Sequence, residues 1–317
     1  MLKDLLDITI LQSTLRMATP VMLAAMGALI TGSAGIINIA LEGMMLLAAF
    51  FAVLGSYFFG SVWAGVLVAV LSGIVFAFLF AVFSLKFRAH IILMGVAINA
   101  FAVALTVYLL RSIFHVAGAF SDPGIKGFET VDLPFIKDIP FLGDLLSGYT
   151  PIVYIAWLLV IVMHILLYKT PLGVHLRAVG ENQEATETLG IKVSLIKYLA
   201  VVLSGIFSAL AGAYLSLGQL TMFTENMSAN RGFMGLAANI FGRGTPIGGA
   251  LASILFGFAD ALAMRLQGWE ALPSQFVLML PAILTIVILL MVAIRKELAL
   301  KRIKARNVER AMSEPQK

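Results

Sequence analysis

Asn38 and Glu42 stand four residues apart in an otherwise apolar stretch, Thr31-Gly-Ser-Ala-Gly-Ile-Ile-Asn-Ile-Ala-Leu-Glu-Gly43. If that stretch is helical, the amide and the carboxylate share a face and could meet a polar solute. Equally, Glu42 could cap a helix that restarts at Gly43, where a carboxylate suits the positive end of the helix. Asn99 and Asn239 are two further amides set in apolar sequence. Such an amide either ties neighbouring helices together or lines a path for a ligand. His164 and Asp260 sit near the ends of apolar runs and do not form the Asp/Glu/His/Arg chain expected of a proton-coupled carrier. The sequence holds no G-x-x-x-x-G-K-[ST], no H-E-x-x-H and no G-x-S-x-G. Gly242 and Gly244 form half a dinucleotide fingerprint, with no strand before them. No cysteine is present, so disulfide, thiolate and cysteine-metal chemistry are absent. No catalytic residue, metal site or cofactor is expected.

The elements that carry these residues must be membrane spans. The chain has 317 residues, of which 61% are hydrophobic and only 12% charged, with a mean hydropathy of +1.00. A soluble domain carries about a quarter charged residues, so this is an integral membrane protein and not a nucleic-acid binder. A crossing needs about 20 apolar residues. On that measure the chain is all-α, with about nine transmembrane helices near 10–31, 43–60, 62–85, 91–113, 151–168, 198–217, 233–241, 247–264 and 275–294. The seventh is too short to span comfortably. Its flanks, Gly232 and Gly242-Arg-Gly-Thr-Pro-Ile-Gly-Gly249, predict a broken or re-entrant helix, whose exposed backbone survives at depth only against protein or a watery cavity. Small residues four apart, such as Ala77 and Ala81 or Ser208 and Gly212, predict close helix approach. Trp63, Trp157 and Trp269 read as interface anchors.

Basic residues set the orientation. Lys86 and Arg88, then Lys169, Arg177, Lys192 and Lys197, and the tail 296–317 belong in the cytoplasm. From Arg295 onward, eight basic residues stand against three acidic ones. The loop 115–150 carries five acids against Lys126 and Lys137 and suits the outer face. The C-terminus is then cytoplasmic and the N-terminus external. No linker divides the chain, which reads as one transmembrane domain over 1–317, its helical bundle at 10–295.

The segment 168–197 is too long for a passive connector. Its middle, Glu181 to Leu189, reads as a surface helix closed by Gly190, a shape suited to docking a partner. The stretch Thr170-Pro-Leu-Gly-Val-His-Leu-Arg-Ala-Val-Gly-Glu-Asn-Gln-Glu-Ala-Thr-Glu-Thr-Leu-Gly-Ile191 resembles the coupling loop of ABC importer permeases of the ribose/branched-chain amino acid class. Ala34 to Ala48 and Gly232 to Ala250 resemble two other hallmarks of that class, in the same order. The form Asn38-Ile-Ala-Leu-Glu-Gly-Met44 and the acidic outer loop look most like its nucleoside or simple-sugar permeases.

The resemblance implies one half of an importer in a prokaryotic plasma membrane. Its partners would be a homologous permease in a heterodimer, a cytoplasmic ABC ATPase, an external substrate-binding lipoprotein and membrane lipid. Gly180, Glu181, Asn182, Ala185 and Gly190 would seat in the ATPase. Asn38, Glu42, Asn99 and Asn239 are the candidates to line the path. A nucleoside is the first substrate reading; a simple sugar or branched-chain amino acid is the alternative within the same machine. An autonomous secondary carrier and a structural scaffold are the alternatives of other classes.

Overall fold

The computed structural model describes residues 8–132, 143 and 146–267, with single helical positions at 279, 283, 287, 290 and 294. The expected last span (275–294), the basic tail, Trp269 and residues 133–142 and 144–145 of the loop 115–150 lie outside the described residues, apart from those single positions. The chain divides into two compact units, Met1–Ala261 and Leu262–Lys317. The first carries every candidate site residue.

Seven helices among the described residues are long and apolar enough to cross a membrane. They are α1 (Ile8–Ser33), α2 (Leu41–Phe59), α3 (Val62–Ala81, prolonged by a π-helical turn Val82–Lys86), α4 (Ile91–Phe114), α5 (Pro151–Lys169), α8 (Val193–Ala213, prolonged by a π-helical turn Tyr214–Gln219) and α10 (Pro246–Leu266). Two short surface helices, α6 (Pro171–Glu181) and α7 (Gln183–Thr188), follow α5, and α9 (Arg231–Phe241) precedes α10. The only β structure among the described residues is an antiparallel ribbon of two-residue strands, β1 (Ala119–Phe120) and β2 (Phe223–Thr224), and an isolated bridge from Val131 to Tyr149. The described residues thus hold seven crossing helices and a half-length α9, and the ninth expected span lies outside them.

Burial sorts the helices into centre and rim. In α1 and α2, 78% of the most apolar window is buried, against 22% in α4 and 28% in α3. The core is therefore α1 and α2, wrapped by α8, which packs on α1, α2 and α3, and by α9, which packs on α1 and α2. The exposed faces of α3, α4 and α5 carry large apolar side chains such as Leu67, Leu71, Phe101, Tyr108, Leu158 and Ile161, as a lipid-facing rim requires. Small residues sit at the crossings. A Cβ on Gly205 of α8 would lie 2.5 Å from Ala77 Cβ and from the Gly73 carbonyl of α3, so those two backbones touch.

The described part of the loop 115–150 is fastened to the bundle. Ser56 Oγ donates to the Lys126 carbonyl (2.7 Å) and accepts from its amide (2.8 Å), and the Phe128 amide donates to the Leu217 carbonyl (2.9 Å). Trp63 packs edge-on against Phe128 at 5.3 Å. Through β1–β2, the loop is tied to the segment that leads into α9.

Candidate functional site: a surface lever and two interrupted crossings

The surface helix begins ten residues earlier than the sequence pattern predicts, and it is split in two. Thr170 Oγ1 accepts from the Gly173 amide (3.3 Å), and Pro171 occupies the first helical position. That is an ordinary helix start, masked by the stronger pattern after Gly180. Asn182 then leaves helical geometry at φ −150°, and its Oδ1 accepts from the Ala185 amide (3.0 Å), ending α6 and starting α7. Gly190, at φ +79°, closes the pair. Gly173, Leu176 and Val179 face inward and are buried. Glu181, Asn182, Ala185 and Gly190 are exposed, together with Gln183, Glu184 and Glu187. Leu189 is 78% exposed.

Gly180 joins this helix pair to the bundle. A Cβ there would run into the Ser33 carbonyl oxygen and lie 3.1 Å from the Gly35 amide nitrogen. Gly35 itself has φ +74°, a left-handed conformation that glycine adopts without penalty. The end of α1 and the end of α6 are thus pressed backbone to backbone. Beside them lies a cleft of about 540 Å³ lined by Gly32, Ser33, Val174, Arg177, Gly180 and Glu181 among others.

Beyond Gly35 the chain does not turn straight into the next helix. Residues 36–38 are non-helical, 39–40 form a turn, and α2 begins only at Leu41. Asn38 therefore lies before the helix begins and shares no helical face with Glu42. Asn38 is fully buried; its Nδ2 donates to Ser204 Oγ of α8 (3.0 Å) and its Oδ1 accepts from the Ala40 amide (3.0 Å). Asn99 lies eight residues into α4, about 12 Å along the helix, so the restart of α2 is at membrane depth. Its Oδ1 accepts from the Gly43 amide (2.8 Å) and its Nδ2 donates to the Ile39 carbonyl (3.0 Å). One side chain thus satisfies a donor and an acceptor that the break leaves open, as backbone away from water demands.

Glu42 does not cap its own helix. Its Oε1 accepts from the Asn230 amide (2.8 Å) and its Oε2 from the Gly232 amide (2.7 Å). These are the amides at the start of α9, which has no side-chain cap of its own. Glu42 is buried, with 8% of its surface exposed. A Cβ on Gly232 would lie 2.6 Å from the Glu42 Cα and amide nitrogen, so the two breaks are in direct contact. Gly232 is legible in the sequence as a flank, but no local signal shows that Glu42 reaches across 190 residues to it.

The second interrupted crossing is built the other way round. Residues 220–230 are non-helical beyond β2, with Thr221, Asn226, Ala229 and Asn230 all at positive φ, and Phe223 packs on Phe50 in the middle of α2 at 5.2 Å. Then α9 runs alongside α1 in the same direction. Gly235 meets Ala24 and Ala25, and Asn239 lies against Gly32 near the lever. With 11 residues, α9 covers about 16 Å, half of a hydrocarbon core about 30 Å thick. The return helix α10 brings Gly249 against Met26 and Gly257 against Ala18. Of the four path candidates, Asn38, Glu42 and Asn99 have their polar atoms engaged, whereas Asn239 Oδ1 is buried without a hydrogen-bond partner. Arg231 donates to the Met227 carbonyl (3.4 Å), and its Nε has no partner.

The family described as branched-chain amino acid transport system / permease component matches residues 10–291, a range that contains the lever and both breaks. The chain belongs to this permease family. Among relatives of this permease, the guanosine ABC transporter permease protein NupQ of Bacillus subtilis is 35% identical over 292 residues, covering 88% of this chain and 90% of its own. The nucleoside ABC transporter permease protein NupC of Lactococcus lactis is 34% identical, covering 86% and 88%. The solved PsaBC structure from Streptococcus pneumoniae in complex with Fab aligns at a TM-score of 0.53 with 14% identity, covering 90% of this chain and 95% of its own, which shows a shared fold. The chain is a multi-pass membrane transport subunit.

Proposed function

We propose that this permease is the transmembrane half of an ATP-driven, binding-protein-dependent importer of nucleosides. Two nucleoside-class relatives aligned over nearly the whole chain carry this reading most. The polar candidates are consistent with it: Asn239 has an open acceptor, and the one carboxylate has its charge already taken up by backbone amides, which suits a neutral, hydrogen-bonding solute better than an anion. The chain would act as a single permease domain in a prokaryotic plasma membrane. It would pair with a homologous permease in a heterodimer, and the path would run at their interface past Asn38, Glu42, Asn99 and Asn239, with Asn239 offering its open acceptor. A cytoplasmic ABC ATPase would receive Gly180, Glu181, Asn182, Ala185 and Gly190, and an external lipoprotein would deliver substrate to the end where β1–β2 lies. The C-terminus is then cytoplasmic and the N-terminus external.

In this mechanism ATPase closure moves the lever α6–α7, and the Gly180 contact passes that movement to the end of α1. Only interactions that differ between the inward- and outward-open states can shift their balance. A backbone contact without slack carries the movement of the lever to such interactions in the bundle. The test is reconstitution of the chain with its partner permease, ATPase and binding protein in vesicles, followed by uptake of radiolabelled guanosine. Uptake that needs ATP supports the reading; equal uptake by the chain without ATPase or ATP makes it an autonomous carrier.

A further inference from the structure

We propose that Glu42 is the positioning residue that carries movement of the lever into α9, by holding the starts of α2 and α9 together as one joint. The inference rests on the importer reading and deepens it, since that reading by itself gives Glu42 no role in coupling. The chain of contacts is continuous. Gly180 presses on Ser33 and Gly35; seven residues on, Glu42 binds the Asn230 and Gly232 amides with both carboxylate oxygens; and farther along α9, Asn239 returns to Gly32. The link between Gly35 and Glu42 is itself pinned, by Asn38 on Ser204 and by Asn99 on Ile39 and Gly43.

The division of labour between Asn99 and Glu42 points the same way. A glutamate in the first turn ordinarily serves its own helix. Here Asn99 serves α2, and the carboxylate is turned onto a segment 190 residues distant. It replaces the missing cap of α9, whose N-cap residue Asn230 sits at φ +65° without a side-chain hydrogen bond. Two charge-assisted bonds in a buried setting are strong ones, and Gly232 lies so close to the Glu42 backbone that a Cβ on it would stand 2.6 Å from the Glu42 Cα, which leaves no room for the two breaks to slide independently. Any shift of the α1–α2 link that keeps these bonds must displace the start of α9.

The experiment measures guanosine taken up per ATP hydrolysed by the reconstituted complex for wild type, Glu42→Gln, Glu42→Asp and Glu42→Ala. Glu42→Ala is expected to lower the ratio by about tenfold or more, the cost of losing a charge-assisted bond, while ATP hydrolysis continues. Glu42→Gln, which keeps one acceptor and the volume, is expected to fall in between. If Glu42→Ala does not assemble, the Glu42→Gln ratio decides alone. A ratio unchanged in Glu42→Gln and Glu42→Asp overturns the inference. So does a raised KM for guanosine at an unchanged ratio, which would make Glu42 a substrate contact. A wild-type complex whose uptake ignores ATP overturns the importer reading itself, and that outcome is separate because it needs no variant.

Discussion

Replacing Gly180 by alanine places one methyl group where the lever meets the bundle. Its carbon would collide with the Ser33 carbonyl oxygen and would stand 3.0 Å from the Ser33 carbonyl carbon and 3.1 Å from the Gly35 nitrogen. Ordinary contact begins at 3.4 Å, so α6 must retreat by at least 0.4 Å (3.4 less 3.0 Å). The atoms in the way are backbone, which cannot swing aside as a side-chain tip does. Overpacking of this kind costs about 1–3 kcal/mol, a factor of about 5–150 in an equilibrium that depends on the contact. The assay is ATP-driven guanosine uptake in vesicles, with ATP hydrolysis and the thermal stability of the purified chain measured in parallel. Gly180→Ala should reduce uptake per ATP by about fivefold or more, and Gly180→Val should reduce it further. Wild-type uptake and stability in both variants would refute the claim that the lever acts through a contact with no slack.

Other substitutions separate the roles of neighbouring residues. Asn99→Ala should destabilise the chain by about 2–4 kcal/mol, because it orphans the Gly43 amide and the Ile39 carbonyl together; unfolding followed by size-exclusion fluorescence would show this. Glu181→Arg reverses a charge on the exposed end of the lever and should abolish coupled uptake while leaving expression and melting temperature intact; normal uptake would remove Glu181 from the docking face. Gly205→Leu should prevent assembly of the bundle, because its side chain would need the space held by the Gly73 backbone; a monodisperse, thermostable product would contradict the backbone contact between α3 and α8.

Much of this arrangement is legible in the sequence because lipid imposes it locally. Apolar length marks the spans, and Gly35, Gly232 and the Gly242–Gly249 stretch mark where helices give way. The hidden part is long-range. Nothing near Glu42 announces that its partners are Asn230 and Gly232, and a carboxylate beside a helix start reads as a cap for that helix until the fold supplies another. The non-helical link at 36–38 is not legible because Ile36, Ile37 and Ile39 suit a buried helix and a buried strand equally. The ribbon β1–β2 has only two residues per strand and no period to detect. The early start of α6 at Thr170-Pro171 is present in the sequence and is obscured by the stronger helix formers after Gly180.

The central claim, that this permease works as the membrane half of an ATP-driven nucleoside importer, is tested most directly by competition in the reconstituted system. Radiolabelled guanosine should enter only with ATP, ATPase and binding protein present, and unlabelled nucleosides should compete where glucose and leucine do not. Guanosine entry that persists without ATP, or competition by glucose or leucine but not by nucleosides, would contradict it.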